Sequence, residues 1–196
     1  MTAPTFNGVF PHRWSAEILP ARPLILPGRH FTYPALVEEV ERGALEILVR
    51  HERDAQPFLA TCALGFRDPA APTGLWSTPD ADTLCALSGG YAYLISALQP
   101  DHFTMLPLRP VLQVHSFVEQ RLLLFFGHHT ILAWGADGQA WHSDRLSWEG
   151  ITLNRVDENQ LHGFGWDLLS DKEVPFTLDL RTGNRIDAQS DASDAH

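Results

Sequence analysis

The stretch LLLFFGHHTILAWGADGQAWH, residues 122–142, decides the fold. Its apolar runs are short, rich in aromatic and aliphatic residues, and separated by glycine, histidine and aspartate. Such runs are typical of short strands joined by tight turns, whereas a helix would show apolar residues at a spacing of about 3.6 over a longer segment. The stretch therefore predicts three consecutive antiparallel strands.

The same pattern recurs at a spacing of 38 residues. Residues 84–117 align with residues 122–155, so that LCAL lies over LLLF and YLI over ILA. A third, broken copy begins at Leu161, where PFTLDLRTGNRI matches TILAWGADGQAW, and a faint copy precedes them at PFLATCALGF. The repeated unit predicts a four-stranded antiparallel meander of about 40 residues, which is the length of a propeller blade.

The segment ADGQAW at residues 136–141 resembles the turn and tryptophan of quinoprotein-type β-propeller blades. The resemblance covers residues 74–186, and together with the ending PFTLDLRTG it extends to short uncharacterised bacterial proteins with blade-like repeats. It implies blade geometry, with Trp141 buried against the neighbouring sheet. It implies no function, and because no ligand residues match, no cofactor is expected.

Two to three blade-like units cannot close a propeller, which needs about four to eight blades. We therefore expect a mainly β protein whose antiparallel meanders pack as a sandwich of two sheets or as an incomplete propeller. A proline-rich arm over residues 1–34, with a strand at Leu24–Leu26, is available to cover an open edge. Dimerisation of the open edges, giving a homodimer, is the alternative. Residues 35–186 are expected to form one mainly β domain, with at most one short helix over residues 34–43, and residues 187–196 a flexible acidic tail.

Individual strands are predicted where apolar, β-branched and aromatic runs are bounded by Gly, Asp, Asn or Pro. Together they predict a strand content well above the usual 20–25% or so. The predicted segments are Ala44–His51, Pro57–Phe66, Leu84–Leu87, Tyr91–Ile95, Val111–Phe117, Leu122–Phe126, Thr130–Trp134, Ile151–Val156, Leu161–Phe164 and Val174–Leu180.

The charge of the chain argues against nucleic acid as a partner. The formal net charge is −10, and residues 99–196 carry seven basic and fourteen acidic residues. Lys172 is the single lysine, and the arginines do not cluster, so the basic stripe that phosphate recognition needs is missing. An acidic surface suits a basic protein partner or plain solubility.

Location is expected to be cytoplasmic, without membrane association. The longest apolar run, Leu122–Phe126, is far shorter than the roughly 20 residues of a membrane-spanning helix. The N-terminal residues show neither the charged nor the apolar region of a signal peptide. Cys62 and Cys85 are too few for a disulfide framework and are expected to be buried free thiols.

Histidines suggest a metal site only weakly. His128 and His129 are adjacent, and His142 and Asp144 lie on or after the next predicted strand. Neighbouring residues on a strand point to opposite faces, which opposes a shared site, and polar turn histidines are the preferred interpretation. No metal is predicted.

No catalytic residues are predicted either. The carboxylates of the C-terminal half lie mostly at turns, where Asp caps backbone N–H groups, and nothing selects a pair for acid–base chemistry. Serine and glycine motifs for nucleophiles or phosphates are missing. The tryptophans at positions 76, 134, 141 and 148 are expected in the core.

Residues 163–173 form an acidic, aromatic segment that interrupts the third copy of the repeat. As a recognition loop it offers Trp166 as an apolar anchor and Asp167, Asp171 and Glu173 as charges. The alternative is a covering flap whose Trp166 closes the open end of the sheets.

These observations favour a non-enzymatic binding or protein-interaction module, for instance one that neutralises a basic protein partner as an immunity protein does. The alternative is an enzyme or small-ligand-binding protein with a cleft between two β-sheets.

Overall fold

The computed structural model describes residues 4–35, 40–66 and 71–186. Strands make up 53% of these residues, which confirms the mainly β prediction. The sixteen strands in this part of the chain are β1 (Thr5–Asn7), β2 (Trp14–Leu19), β3 (His30–Tyr33), β4 (Ala44–His51), β5 (Asp54–Ala63), β6 (Gly74–Ser77), β7 (Thr83–Ser88), β8 (Tyr91–Ser96), β9 (Phe103–Met105), β10 (Gln113–Phe117), β11 (Leu122–Phe126), β12 (Ile131–Gly135), β13 (Gly138–His142), β14 (Ile151–Asp157), β15 (Gln160–Asp167) and β16 (Lys172–Asp179).

The described strands form four sheets rather than the two expected. Sheet 1 has the order β2-β4-β5-β3, sheet 2 β1-β6-β7-β8-β9, sheet 3 β10-β11-β12-β13, and sheet 4 β14-β15-β16. From β6 onward every strand pairs antiparallel with its successor inside its own sheet, which confirms the meander units. In this part of the chain the sheets are separate because consecutive strands hydrogen bond to each other within one sheet, and the next sheet begins with the next group of strands.

The sheets stack face to face, in the order 1-2-3-4, through three apolar clusters. The first cluster joins sheets 1 and 2 and includes Ile47, Phe58, Leu84 and Ile95. The second joins sheets 2 and 3 through residues such as Leu87, Leu94, Leu123 and Phe125. The third joins sheets 3 and 4 through residues such as Leu124, Trp141, Leu161 and Leu178. Sheets 1 and 4 therefore form the two ends of the stack.

Trp141 lies where the repeat predicts, buried between sheets 3 and 4 with 7% of its surface exposed. Its Nε1 donates a hydrogen bond of 2.7 Å to the carbonyl oxygen of Leu180. The indole packs over Gly183, where a Cβ atom would lie 2.5 Å from the ring. The predicted burial of Trp141 is confirmed.

A polar contact supplements the apolar cluster between sheets 1 and 2. Asp82, just before β7, accepts hydrogen bonds from Arg13 Nε at 2.7 Å and from His51 Nε2 at 2.9 Å. The backbone N–H of Arg53 donates to His51 Nδ1, so the ring proton sits on Nε2 and faces the carboxylate. Burial raises the pKa of Asp82, but the hydrogen bonds from His51 and Arg13 outweigh burial and hold the pKa below its usual value.

The predicted strand at Leu24–Leu26 is wrong, and three strands lie elsewhere in the predicted arm. β2 and β3 occupy opposite edges of sheet 1, so residues 20–29, here called the strap, connect these two edges. Pro23 and Pro27 flank the segment and lack backbone N–H donors, which opposes strand pairing there. The boundary of the arm at residue 34 stays a prediction.

Two predictions lie wholly or partly outside the described residues. The helix over residues 34–43 includes the undescribed residues 36–39, and the tail over residues 187–196 is outside the described range. Cys62 and Cys85 are buried free thiols as predicted, and burial raises the pKa of both. Within the described residues, no helix has both the length and the apolar character to span a membrane.

Candidate functional site

The segment 163–173 is a regular hairpin of sheet 4 and does not interrupt it as an inserted loop. In the register of β15 and β16, Trp166 lies opposite Glu173 and Asp167 lies opposite Lys172. Four residues, 168–171, form the turn between the strands. The sequence was misread as an insertion because glycines and polar residues within β15 look like a turn. Three of the four predicted site residues thus lie on the paired strands and the fourth, Asp171, in the turn.

Trp166 lies on the outer face of the last sheet and is half-buried. Along β15, Leu161, Gly163 and Gly165 are buried toward sheet 3, and alternation places Trp166 on the opposite side with Phe164. The Trp166 backbone is fixed on both sides: its N–H donates to Ser147 Oγ at 2.8 Å, and its carbonyl accepts from the N–H of Trp148 at 2.8 Å. The indole is therefore held by a rigid strand.

The apex of the hairpin combines two exposed leucines with the three predicted carboxylates. Leu168 is 61% and Leu169 95% exposed. Ser170 donates two hydrogen bonds to Asp167, one from its hydroxyl and one from its backbone N–H. Both bonds lower the pKa of the Asp167 carboxyl, and the bond from the hydroxyl has the larger effect. In the described part of the chain no ion pair involves Asp167, Asp171 or Glu173. Sequence reasoning missed the leucines, although two adjacent leucines at a turn are themselves a signal of recognition.

A groove of about 270 Å³ lies behind the hairpin, and its lining includes Arg145, Trp148, Trp166 and Arg185. The Arg145 guanidinium stacks over the Trp148 ring at 4.2 Å from its centroid. Trp148 is 49% exposed, so its predicted place in the core is wrong. It lies in the connection between sheets 3 and 4, outside the strands that form the buried layers.

The weak metal candidates do not form a site. His129 Nδ1 lies 3.1 Å from the carbonyl oxygen of Ser147, and His142 Nε2 lies 2.9 Å from Thr130 Oγ1. His128 and Asp144 are exposed. The described residues contain no group of three or more His, Cys, Asp or Glu side chains arranged to hold a metal ion.

A second concave region lies at the end of sheets 1 and 2. This cleft of about 670 Å³ has a mostly apolar lining that includes Leu19, Leu45 and Leu64, and Glu46 is the one charged residue among the described residues that line it. Glu46 is buried, and its Oε2 accepts a hydrogen bond of 2.6 Å from Thr61 Oγ1, which lies 2.8 Å from His30 Nε2. Burial and the nearby Arg22 lower the pKa of His30. Nothing in the sequence pointed to this network, because its members are distant in the chain.

Comparison with protein-family models, curated proteins and solved structures finds no match. A function for the chain therefore has to be argued from its own surfaces.

Proposed function

We propose that this protein is a non-enzymatic protein-interaction module, and that the hairpin 163–173 binds a basic surface of a partner protein. The observation that carries the proposal is the apex of the hairpin, where two exposed leucines stand among three carboxylates that form no ion pair with any described residue. Leucines at an apex gain by leaving water, and unpaired carboxylates gain by meeting Arg or Lys. In a bacterial cytoplasm, a concrete version is neutralisation of a basic protein, as an immunity protein does.

The two kinds of side chain at the apex have separate roles in the proposed association. Leu168, Leu169 and Trp166 supply apolar area, which sets how long the complex lasts. Asp167, Asp171 and Glu173 outnumber the neighbouring Lys172 and supply a net negative potential, which speeds the encounter with a basic surface. The net charge of −10 extends this potential beyond the hairpin.

The test is a pull-down from a lysate of the source cells, followed by binding kinetics with the captured basic protein. The double variant Asp171→Asn/Glu173→Gln should slow association, with little change in dissociation. Trp166→Ala and Leu169→Ala should chiefly speed dissociation. Added salt should slow association, because the Debye length falls from about 10 Å at 0.1 M to about 3 Å at 1 M.

A matched control is Glu119→Gln/Asp137→Asn, which removes the same charge from exposed turns of sheet 3. It should leave association close to the wild-type rate. Binding that ignores both salt and the hairpin variants would remove the hairpin as the binding site.

The cleft between sheets 1 and 2 favours a second function, that of a small-ligand-binding protein or enzyme. Its apolar lining and buried Glu46 carboxylate fit an apolar molecule that carries a cationic group. A dansylated alkylamine is a direct probe. Fluorescence enhancement with the wild type that is lost in Glu46→Gln would favour this function, and no enhancement with either would exclude this ligand class.

A further inference from the structure

The strap presents a second apolar apex, at the opposite end of the stack. Leu24 is 103% and Ile25 88% exposed, and Leu26 follows at 42%. Arg22 is exposed and is not in an ion pair with any described residue. Residues 18–37 contain no Asp or Glu, although the whole chain has 24 acidic residues. The strap is therefore apolar and locally basic in an acidic protein.

The strap is anchored at its C-terminal end. The Arg29 guanidinium donates to Asp54 Oδ2 at 2.5 Å and to the carbonyl of Gln56 at 3.0 Å. The backbone N–H of Leu59 donates to the carbonyl of Arg29 at 3.0 Å. Prolines at positions 20, 23 and 27 restrict the backbone further. An apex bordered by prolines and anchored at one end loses less conformational entropy on binding than an unrestrained loop would.

The face beside the strap has mixed charge. On the outward-facing positions of β2 and β4, Arg50 and Glu17 are both exposed. These two charges offset each other, and another outward-facing carboxylate, Glu46, is buried and hydrogen bonded to Thr61. Arg22 is therefore the exposed charge at the apex itself.

We propose that the strap of one copy of this chain docks on the hairpin 163–173 of a second copy, head to tail. This inference rests on the proposed function, because it identifies one basic surface that the hairpin binds. Leu24 and Ile25 would cover Leu168 and Leu169, and Arg22 would face the carboxylates of the hairpin apex. Both apices are exposed and apolar, they carry opposite charge, and they lie at opposite ends of the stack. Contact between different surfaces of identical subunits is a heterologous interface.

Symmetric pairing is disfavoured by charge. Two straps face to face would bring two Arg22 guanidiniums together, and two hairpins would bring together two apices in which Asp167, Asp171 and Glu173 outnumber Lys172. Like charges opposed across an interface weaken association, whereas the head-to-tail arrangement pairs opposite charges.

Sedimentation velocity of single and mixed variants tests this arrangement. The wild type should form larger species as its concentration rises, and added sodium chloride should oppose this. Ile25→Asp blocks the strap and Leu169→Asp blocks the hairpin, so each variant alone should associate about tenfold or more weakly, because a carboxylate replaces buried apolar surface. An equimolar mixture should form a 1:1 dimer, since each variant keeps the surface that the other lacks. Val118→Asp, at an exposed valine of sheet 3, is the control and should assemble like the wild type.

A wild type that stays monomeric at every concentration overturns the inference, and so does an Ile25→Asp or Leu169→Asp variant that assembles normally. A mixture that does not form the dimer overturns the head-to-tail arrangement. Failure here is distinct from failure of the proposed function. If the wild type is monomeric while Asp171→Asn/Glu173→Gln still slows association with a captured basic protein, only the self-association is wrong.

Discussion

β11 in sheet 3 and β15 in sheet 4 show how position in the stack shapes a strand. All five residues of β11 are buried, because sheets lie against both of its faces. In β15 buried residues alternate with half-buried or exposed ones, because only one face meets another sheet. A terminal sheet therefore has one face whose side chains are free from core packing. Recognition chemistry can occupy these positions without disturbing the stack.

The largest expected difference in the free energy of unfolding is between the alanine variants of Trp141 and Trp166. Trp141→Ala removes a buried indole between sheets 3 and 4 and should lower the free energy of unfolding by about 3–5 kcal/mol. Trp166→Ala, on the outer face, should lower it by no more than about 1 kcal/mol. Chemical denaturation measures both. Equal losses would show that the outer face of sheet 4 is packed as tightly as the interior.

Neighbouring positions on β11 and on β15 test the same difference between an internal and a terminal strand. Leu123→Ala and Leu124→Ala face different sheets, and each should lower the free energy of unfolding by about 2–5 kcal/mol. On β15, Leu161→Ala should fall in the same range. His162→Asn changes a half-buried side chain that lies 3.0 Å from Thr177 Oγ1, and it should lower the free energy of unfolding by only about 1 kcal/mol or less. A small loss for either leucine of β11 would contradict burial on both faces.

Acid should weaken the interface between sheets 1 and 2 in particular. Because the folded pKa of Asp82 lies below its unfolded value, its contribution is present above that value and is lost as pH falls below about 4. The wild type should therefore lose unfolding free energy more steeply below about pH 4 than Asp82→Asn does. Parallel acid profiles for the two proteins would show that this carboxylate contributes nothing to the pH dependence.

The smallest effect on stability is expected at the hairpin carboxylates. Asp171→Asn/Glu173→Gln removes charges that form no ion pair with any described residue, and it should change the free energy of unfolding by about 0.5 kcal/mol or less. Thermal denaturation beside the control Glu119→Gln/Asp137→Asn measures this. A large loss would assign the carboxylates to the fold instead of to binding.

The interior of the fold was predictable because its strands are continuous apolar runs. The predicted strands Ala44–His51 and Leu122–Phe126 match β4 and β11 to the residue, and Trp141 is buried as expected. The edges were not predictable. β1 and β3 pair in parallel with strands far along the chain, and such pairing leaves no local pattern.

The candidate site was predicted only in outline. Trp166, Asp167, Asp171 and Glu173 do lie together on one hairpin, which follows from their closeness in sequence. Exposure of Leu169 and Trp148 was missed, because apolar composition alone does not reveal which side chains a terminal sheet leaves uncovered. The strap was misread for the same reason, since Leu24 and Ile25 have the composition of a buried strand.

The central claim, that the hairpin apex is a contact surface for a basic protein, is tested most directly by photo-cross-linking from position 169. A photoreactive residue replaces Leu169 in the source cells, and a second protein carries it at Val118 as the reference. We predict cross-links from position 169 to peptides rich in Arg or Lys, and their loss when Asp171→Asn/Glu173→Gln is added. Cross-links no more frequent than those from position 118, or unaffected by the loss of the carboxylates, would contradict the claim.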